Sequence, residues 1–346
     1  MTRMSFRSTV ILLALGLAMN SGALYADGQL RAGTAAAPEL LIPVGARDMA
    51  LGGASIATTS GLEALHWNPA GLTQSKTSAG AMFSTMSYLA DTRVNYLATG
   101  AKFKSIGSLA MNIKAIDFGS IPVTTEANPD GTGATYSPTF FTLGVTFARS
   151  LTDRIGIGVT GHYIVNRIER VDATATSLSV GLQYANLGGI NGLDLGVALK
   201  HIGTRMQFSG SGLQRTGTLD NLRRPSGEYM VEASSADLPS TFELGIGYRY
   251  TPSNLGVVNL SSVFRHNNFA YDQYKLGAEY MYNKFFAVRA GFDYAVDSDE
   301  DYIYGTSFGF GLQLDAGQLK DLRVDYAYTT VDFFDALNTF TFQFGF

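Results

Sequence analysis

The sequence predicts an all-β protein: a transmembrane antiparallel β-barrel of about 14 strands, with a small N-terminal plug or hatch segment. Three observations predict it. The chain closes on ALNTFTFQFGF, residues 336–346, in which Phe340, Phe342, Phe344 and Phe346 alternate with Thr341, Gln343 and Gly345. From about residue 78 onward, alternating segments of about 10 to 15 residues follow one another. Only 16% of the 346 residues are charged and 46% are hydrophobic, against roughly 25% charged in soluble domains. Period-2 alternation places the four phenylalanines on one face of a strand. In water such an edge invites aggregation; in a membrane barrel the aromatic face meets lipid and the edge pairs with the first strand.

The N-terminus reads as an export signal, residues 1–26. Arg3 and Arg7 precede an apolar run from Val10 to Met19, and a small-residue site ends at Ala26. The run falls well short of the roughly 20 residues a helical membrane anchor needs. Beyond it no stretch approaches roughly 18 uninterrupted apolar residues. The chain has no cysteine, which excludes disulfides, thiol catalysis, cysteine metal sites and a lipoprotein anchor, and suits an oxidising compartment. A net charge of -4 without a basic stripe argues against a nucleic-acid partner.

Residues 27–76 form the expected plug or hatch, and 77–346 the barrel. Gly52, Gly53 and Gly61 permit tight turns. Residues 61–67 suit one short helical turn that must break before Pro69. So small and weakly charged a segment holds no core alone and belongs inside something; the alternatives are a soluble helical cap or a disordered leader. Its apolar residues Leu40, Leu41, Ile42, Val44, Met49, Leu51, Ile56, Leu62, Leu65 and Trp67 suit either a seal or a lipid-binding surface. Trp67, Asn68, Pro69, Ala70 and Gly71 are expected to fix the segment, with Asn68, Pro69 and Gly71 acting through turn geometry.

Strands are placed near 78–88, 93–104, 107–118, 137–149, 153–168, 173–187, 192–204, 239–251, 256–267, 271–283, 285–296, 301–314, 321–330 and 336–346. In one, Ile155, Ile157, Val159, Tyr163 and Val165 oppose Gly156, Gly158, Thr160, His162 and Asn166. In another, Val288, Ala290, Phe292 and Tyr294 oppose Arg289, Gly291 and Asp293. A lipid-facing charge at the bilayer midplane costs roughly 2–4 kcal/mol. The apolar set must therefore face lipid and the charged set the lumen; a soluble barrel would reverse this and need shielded edges. The longest connections, 119–136 and 205–238, are odd-numbered, whereas the even-numbered ones are short. This matches long outer loops and short periplasmic turns, with Phe346 on the periplasmic side.

Chemistry is sought and mostly rejected. Residues 156–161 match GxGxxG, but inside a strand rather than at a strand-to-helix turn, where glycine thins the wall or eases curvature. Residues 305–309 match GxSxG, yet Ser307 lies mid-strand, without the nucleophile elbow. His66, His162, His201 and His266 show no metal-ligand spacing. The acidic run 297–301 reads as a solvated loop tip. No enzyme activity, cofactor or metal is expected. The lumen charges are Asp194, Lys200, Glu243, Arg249, Arg265, Lys275, Glu279, Arg289, Asp293, Arg323 and Asp325. Mixed signs select poorly for one charge of solute, so cross-strand pairing that holds a plug is favoured over a polar pathway.

Gly45-Ala46-Arg47, Leu51-Gly52-Gly53-Ala54 and Trp67-Asn68-Pro69-Ala70-Gly71-Leu72 resemble the opening signature of the PorV/PorQ family, outer-membrane barrels similar to FadL long-chain fatty-acid transporters. Residues 124–133 and 208–213 resemble the same pattern. The resemblance implies an outer-membrane protein of type IX secretion that delivers cargo proteins to the surface, with secretion components and cargo as partners. The alternative is FadL-like transport of a hydrophobic small molecule. The terminal strand also resembles the signal read by the barrel assembly machinery, through Phe342, Phe344 and Phe346.

Overall fold

The computed structural model describes residues 31–217, 227–253, 256–296, 302–316 and 319–346. The expected export signal and the acidic run 297–301 lie outside them. Fourteen strands form one closed antiparallel barrel. They are β1 (Ala79–Ser87), β2 (Arg93–Phe103), β3 (Gly107–Asp117), β4 (Thr139–Ser150), β5 (Ile155–Ile168), β6 (Val171–Tyr184) and β7 (Leu193–Gly203). After the longest connection come β8 (Thr241–Ser253), β9 (Gly256–Asn267), β10 (Gln273–Tyr282), β11 (Phe286–Ala295), β12 (Tyr304–Ala316), β13 (Leu319–Val331) and β14 (Leu337–Gly345). The sequence pattern located every one to within a few residues, because an alternating run stops where its turn begins.

The alternation of faces also holds. Thr339 and Thr341 on β14 are buried, whereas Phe340 and Phe342 are 54% and 43% exposed on the outside. The outer face carries cross-strand aromatic pairs: Phe83 opposes Phe342, and Tyr326 opposes Phe340 with ring centroids 4.8 Å apart. Such pairs stiffen a sheet face that has no protein covering.

Two connections hold structure that the alternation did not signal. Ile121–Pro122 pairs with Thr135–Tyr136, and Gln214–Gly217 with Gly227–Met230. Segments of two to four residues are too short to show a period. The second loop also bridges within itself, Met206 to Ala236, and folds back on the wall through Ser209 to Asp172 of β6.

Residues 31–78 run through the barrel. Pro38–Leu41 and Pro69–Gln74 are 3-10 turns, and two single-turn helices are α1 (Ala46–Ala50) and α2 (Ala64–Trp67). At one end, Arg31 pairs with Asp237 of the long loop, and Leu40 packs with Met206 and Leu238. At the other, where β1 starts, Thr73 lies against Gly156 and Thr77 against Gly345.

β14 closes on β1 with eight paired residues, from Gly80 opposite Gly345 to Ser87 opposite Asn338. Phe346 extends the seam: its N–H donates to the Ala79 carbonyl (2.8 Å), and its carbonyl accepts from Ser78 N–H (2.8 Å). Deleting Phe346 should therefore lower the amount of assembled barrel in the outer membrane several-fold, while what assembles keeps the wild-type strand spectrum. Wild-type membrane levels on quantitative immunoblots would contradict this.

Candidate functional site

The site is the contact between the N-terminal segment and the inner wall. Inward glycines let the two backbones touch. Gly158 of β5 faces Pro69, Gly181 of β6 faces Asn68, Gly196 of β7 faces Ile56, and Gly291 of β11 faces Gly52. A Cβ at Gly196 would lie 2.5 Å from the Ile56 carbonyl oxygen, closer than side chains tolerate. Gly156 and Gly158 of the GxGxxG stretch thus admit the segment rather than a nucleotide.

Backbone groups of the segment that leave water need partners, and wall side chains supply them. Gln183 Nε2 donates to the carbonyls of Ile56 (3.0 Å) and Thr59 (2.9 Å). Ala46 N–H donates to Thr341 Oγ1 (2.8 Å), which in turn donates to Ser84 Oγ (2.9 Å), so the segment is tied across the β1–β14 seam. Asn68 does more than shape its turn. Its Oδ1 accepts from Ala70 N–H (3.2 Å), while Nδ2 donates to Ile56 (2.8 Å) and Leu182 (3.1 Å) carbonyls. Asn68 is extended before Pro69, ending α2 as the sequence required, and Trp67 Nε1 donates to the Val44 carbonyl (3.0 Å). Gly71 fits where a Cβ would meet the Ala64 side chain at 2.7 Å.

Charges join the segment to the wall. α1 places Arg47 beside Glu279 of β10, with Nη2 at 3.2 Å from Oε1 and Nε at 3.3 Å from Oε2. Arg289 of β11, directly opposite Glu279, donates Nε to Oε2 (2.6 Å) and Nη1 to Asp325 Oδ1 (2.6 Å). Asp325 lies on β13, so this pair spans β12, and it can do so because Gly311 stands between: a Cβ there would sit 2.7 Å from Arg289 Nη1. Arg323, 3.1 Å from Asp325, returns to the segment at Glu63 (3.2 Å). Asp48 closes the network on Arg47 (3.0 Å) and accepts from Thr59 Oγ1 (2.5 Å). Arg47, Arg289 and Arg323 face Asp48, Glu63, Glu279 and Asp325, leaving one surplus negative charge. Burial pushes the Glu63 carboxyl up to about 7; Arg323 pulls it down, while Asp48 and Asp325 push it further up. Burial thus favours the protonated form of Glu63, which takes up that surplus.

A second group is formed by the wall alone. Glu243 Oε1 takes both Lys200 (2.7 Å) and Arg265 (2.8 Å), and Lys275 pairs with Asp293 opposite it. Nine of the eleven sequence-derived lumen charges therefore enter these two groups. The other two do not. Asp194 accepts from Asn186 N–H (3.0 Å) and fixes a turn, and Arg249 is exposed near the end of β8, in none of the ion pairs among the described residues. Arg47, Asp48, Glu63 and Lys114 were missed, because the segment reads as apolar and Lys114 sits in the sparsely charged first half. Ser307 pairs with Thr329 mid-strand (3.0 Å), far from any helix start.

A closed 14-strand barrel with an aromatic outer face and a lumen filled by its own N-terminal segment defines an outer-membrane barrel of the FadL-type architecture. Two solved structures share the fold. The CymD monoaromatic hydrocarbon channel is 15% identical with a TM-score of 0.52, and the Pseudomonas putida toluene transporter TodX is 14% identical with a TM-score of 0.52. Each comparison covers 88% of this chain and 97% of the other. The family model of the type IX secretion system protein PorV matches residues 25–187, from before the lumenal segment to just past β6. No curated protein matches the sequence significantly.

Removing one partner of a buried ion pair costs about 3–5 kcal/mol, because the other charge is stranded. Arg47→Ala should therefore raise the rate at which protease cleaves residues 31–75 of the folded barrel by about a hundredfold or more. Gly311→Ala, which obstructs the Arg289–Asp325 contact from the far side of the network, should act in the same direction. Wild-type cleavage rates in both variants would contradict the network's role.

Proposed function

We propose that the protein serves type IX secretion as an outer-membrane partner barrel that handles cargo proteins at its surface rather than conducting solute through its lumen. The match of the PorV family model to residues 25–187 supports the assignment. The observation that carries the mechanism is the occupied lumen: the N-terminal segment is hydrogen-bonded or ion-paired to β6, β7, β10, β13 and β14. Residues 31–75 act as a plug, Arg47 and Asn68 as its fasteners, and no side chain is given a catalytic role. With the interior filled, the surfaces left for partners are the two long loops, 119–136 and 205–238, and the barrel rim. The export signal at 1–26 delivers the chain to the periplasm, and the aromatic terminal strand hands it to the assembly machinery.

A second reading has one observation in its favour. CymD is a hydrocarbon channel and TodX a toluene transporter, and the lumenal segment buries Leu40, Met49, Ile56, Leu65 and Trp67, an apolar surface that a displaced plug would offer to a hydrophobic molecule. Likeness of fold does not by itself transfer a substrate.

A strain lacking the gene separates the two. We expect surface-attached cargo to be lost while uptake of long-chain fatty acids and of toluene stays at the parental rate. Normal cargo delivery with reduced uptake would overturn the secretion reading in favour of transport.

A further inference from the structure

A cavity remains between the N-terminal segment and β2 to β7, away from the Arg47 network. Leu40, Leu65, His66 and Pro69 wall one side; Tyr96, Asn112, Lys114, Thr142, His162, Ser179, Lys200 and His201 wall the other. Its making involves a break in strand regularity. β6 and β7 shift register between Leu178 and Val180, and His201 takes a left-handed backbone with φ 61°. A β-bulge of this kind puts two consecutive residues on one face. Lys200 and His201 are both buried where strict alternation would turn one of them to lipid. A non-glycine residue in that region is uncommon, and strain of this sort gathers at functional positions.

The polar groups there lack counterparts. Lys114 Nζ reaches only the Leu40 (3.3 Å) and Ile42 (3.1 Å) carbonyls and has no carboxylate partner among the described ion pairs. Lys200 shares its one carboxylate oxygen with Arg265. Glu39, the other nearby acid, has its carboxyl pushed up by burial, which weakens it as a counter-charge. His66 is kept neutral by burial and by the field of Lys114 and Lys200. Tyr96 Oη, Thr142 Oγ1 and His201 Nδ1 are buried with no hydrogen-bond partner. The cavity lining therefore gathers two lysine amino groups and several unused donors, and its histidines join no metal-binding group among the described residues.

We propose that this cavity binds one small monovalent anion, of the size of chloride or formate, held by Lys114 and Lys200 with hydrogen bonds from Tyr96, Thr142 and His201. At about 20 Å³ the cavity is too small to take an alkyl chain. The anion would supply the counter-charge that the protein lacks and brace the segment against β3 and β7.

Bromide tests this. Crystals of the full barrel grown in sodium bromide should give an anomalous peak in the cavity. Chloride or bromide should raise the melting temperature above that in gluconate of equal ionic strength. Formate should displace the bromide, and laurate should not. Lys114→Gln should lose both the peak and the melting shift; if that variant fails to assemble, Tyr96→Phe should lower bromide affinity several-fold. No peak in the cavity, a peak that persists in Lys114→Gln without any melting shift (an adventitious ion only), or displacement by laurate would each overturn the proposal. None of these outcomes depends on whether the protein serves secretion or transport.

Discussion

Buried charge governs this barrel. Its interior holds carboxylates and guanidiniums that water cannot reach, and each must find an opposite charge or lose its own. Charges of the wall and of the segment interlock: Glu279 of β10 receives Arg289 from the neighbouring strand and Arg47 from the N-terminal segment. Arg323, in turn, relies on Glu63 of the segment as well as on Asp325. Arg47 and Glu63 leave water only by pairing with these wall charges, so the segment is part of the barrel's electrostatic structure, not a loose insert. The glycines serve the same end, since Gly311 opens the path for Arg289 and Gly196 and Gly291 bring the segment's backbone against the wall.

That arrangement favours a protein that works from its surfaces. A channel of the same architecture needs a plug that leaves or a route beside it. Here the segment is tied at both ends of the lumen, by Arg31 to Asp237 near the long loop and by Gln74 to Gln183 near the start of β1. It is also bound in the middle through Asn68 and Arg47. Loop residues Met206 and Leu238 cover the segment's Ala37 and Leu40, so the longest connection and the N-terminal segment form one packed unit. A partner gripping that loop would be mechanically coupled to the lumen.

Much of the fold was legible because period-2 alternation is a direct record of a wall with lipid on one side. Strand number, pairing order and the lumen-facing set all follow from it, and the cross-strand pairs Glu243–Arg265, Lys275–Asp293 and Glu279–Arg289 are opposite one another in register. The contacts of the segment were not legible in the same way. Nothing in Gly45-Ala46-Arg47 says that Arg47 meets a residue 232 positions later, since such contacts depend on the shape of the closed barrel. The bulge at Lys200 and His201 left a faint trace, two polar residues in a row between Leu199 and Ile202. That interruption of the period marks where the wall departs from regularity.

The central claim is that paired charges hold the lumen shut. Conductance of the purified barrel in a planar bilayer tests it most directly, comparing the wild type with a chain lacking residues 31–75. The account predicts a silent wild type and a steadily conducting deletion barrel. A wild type that conducts as well as the deletion would contradict it.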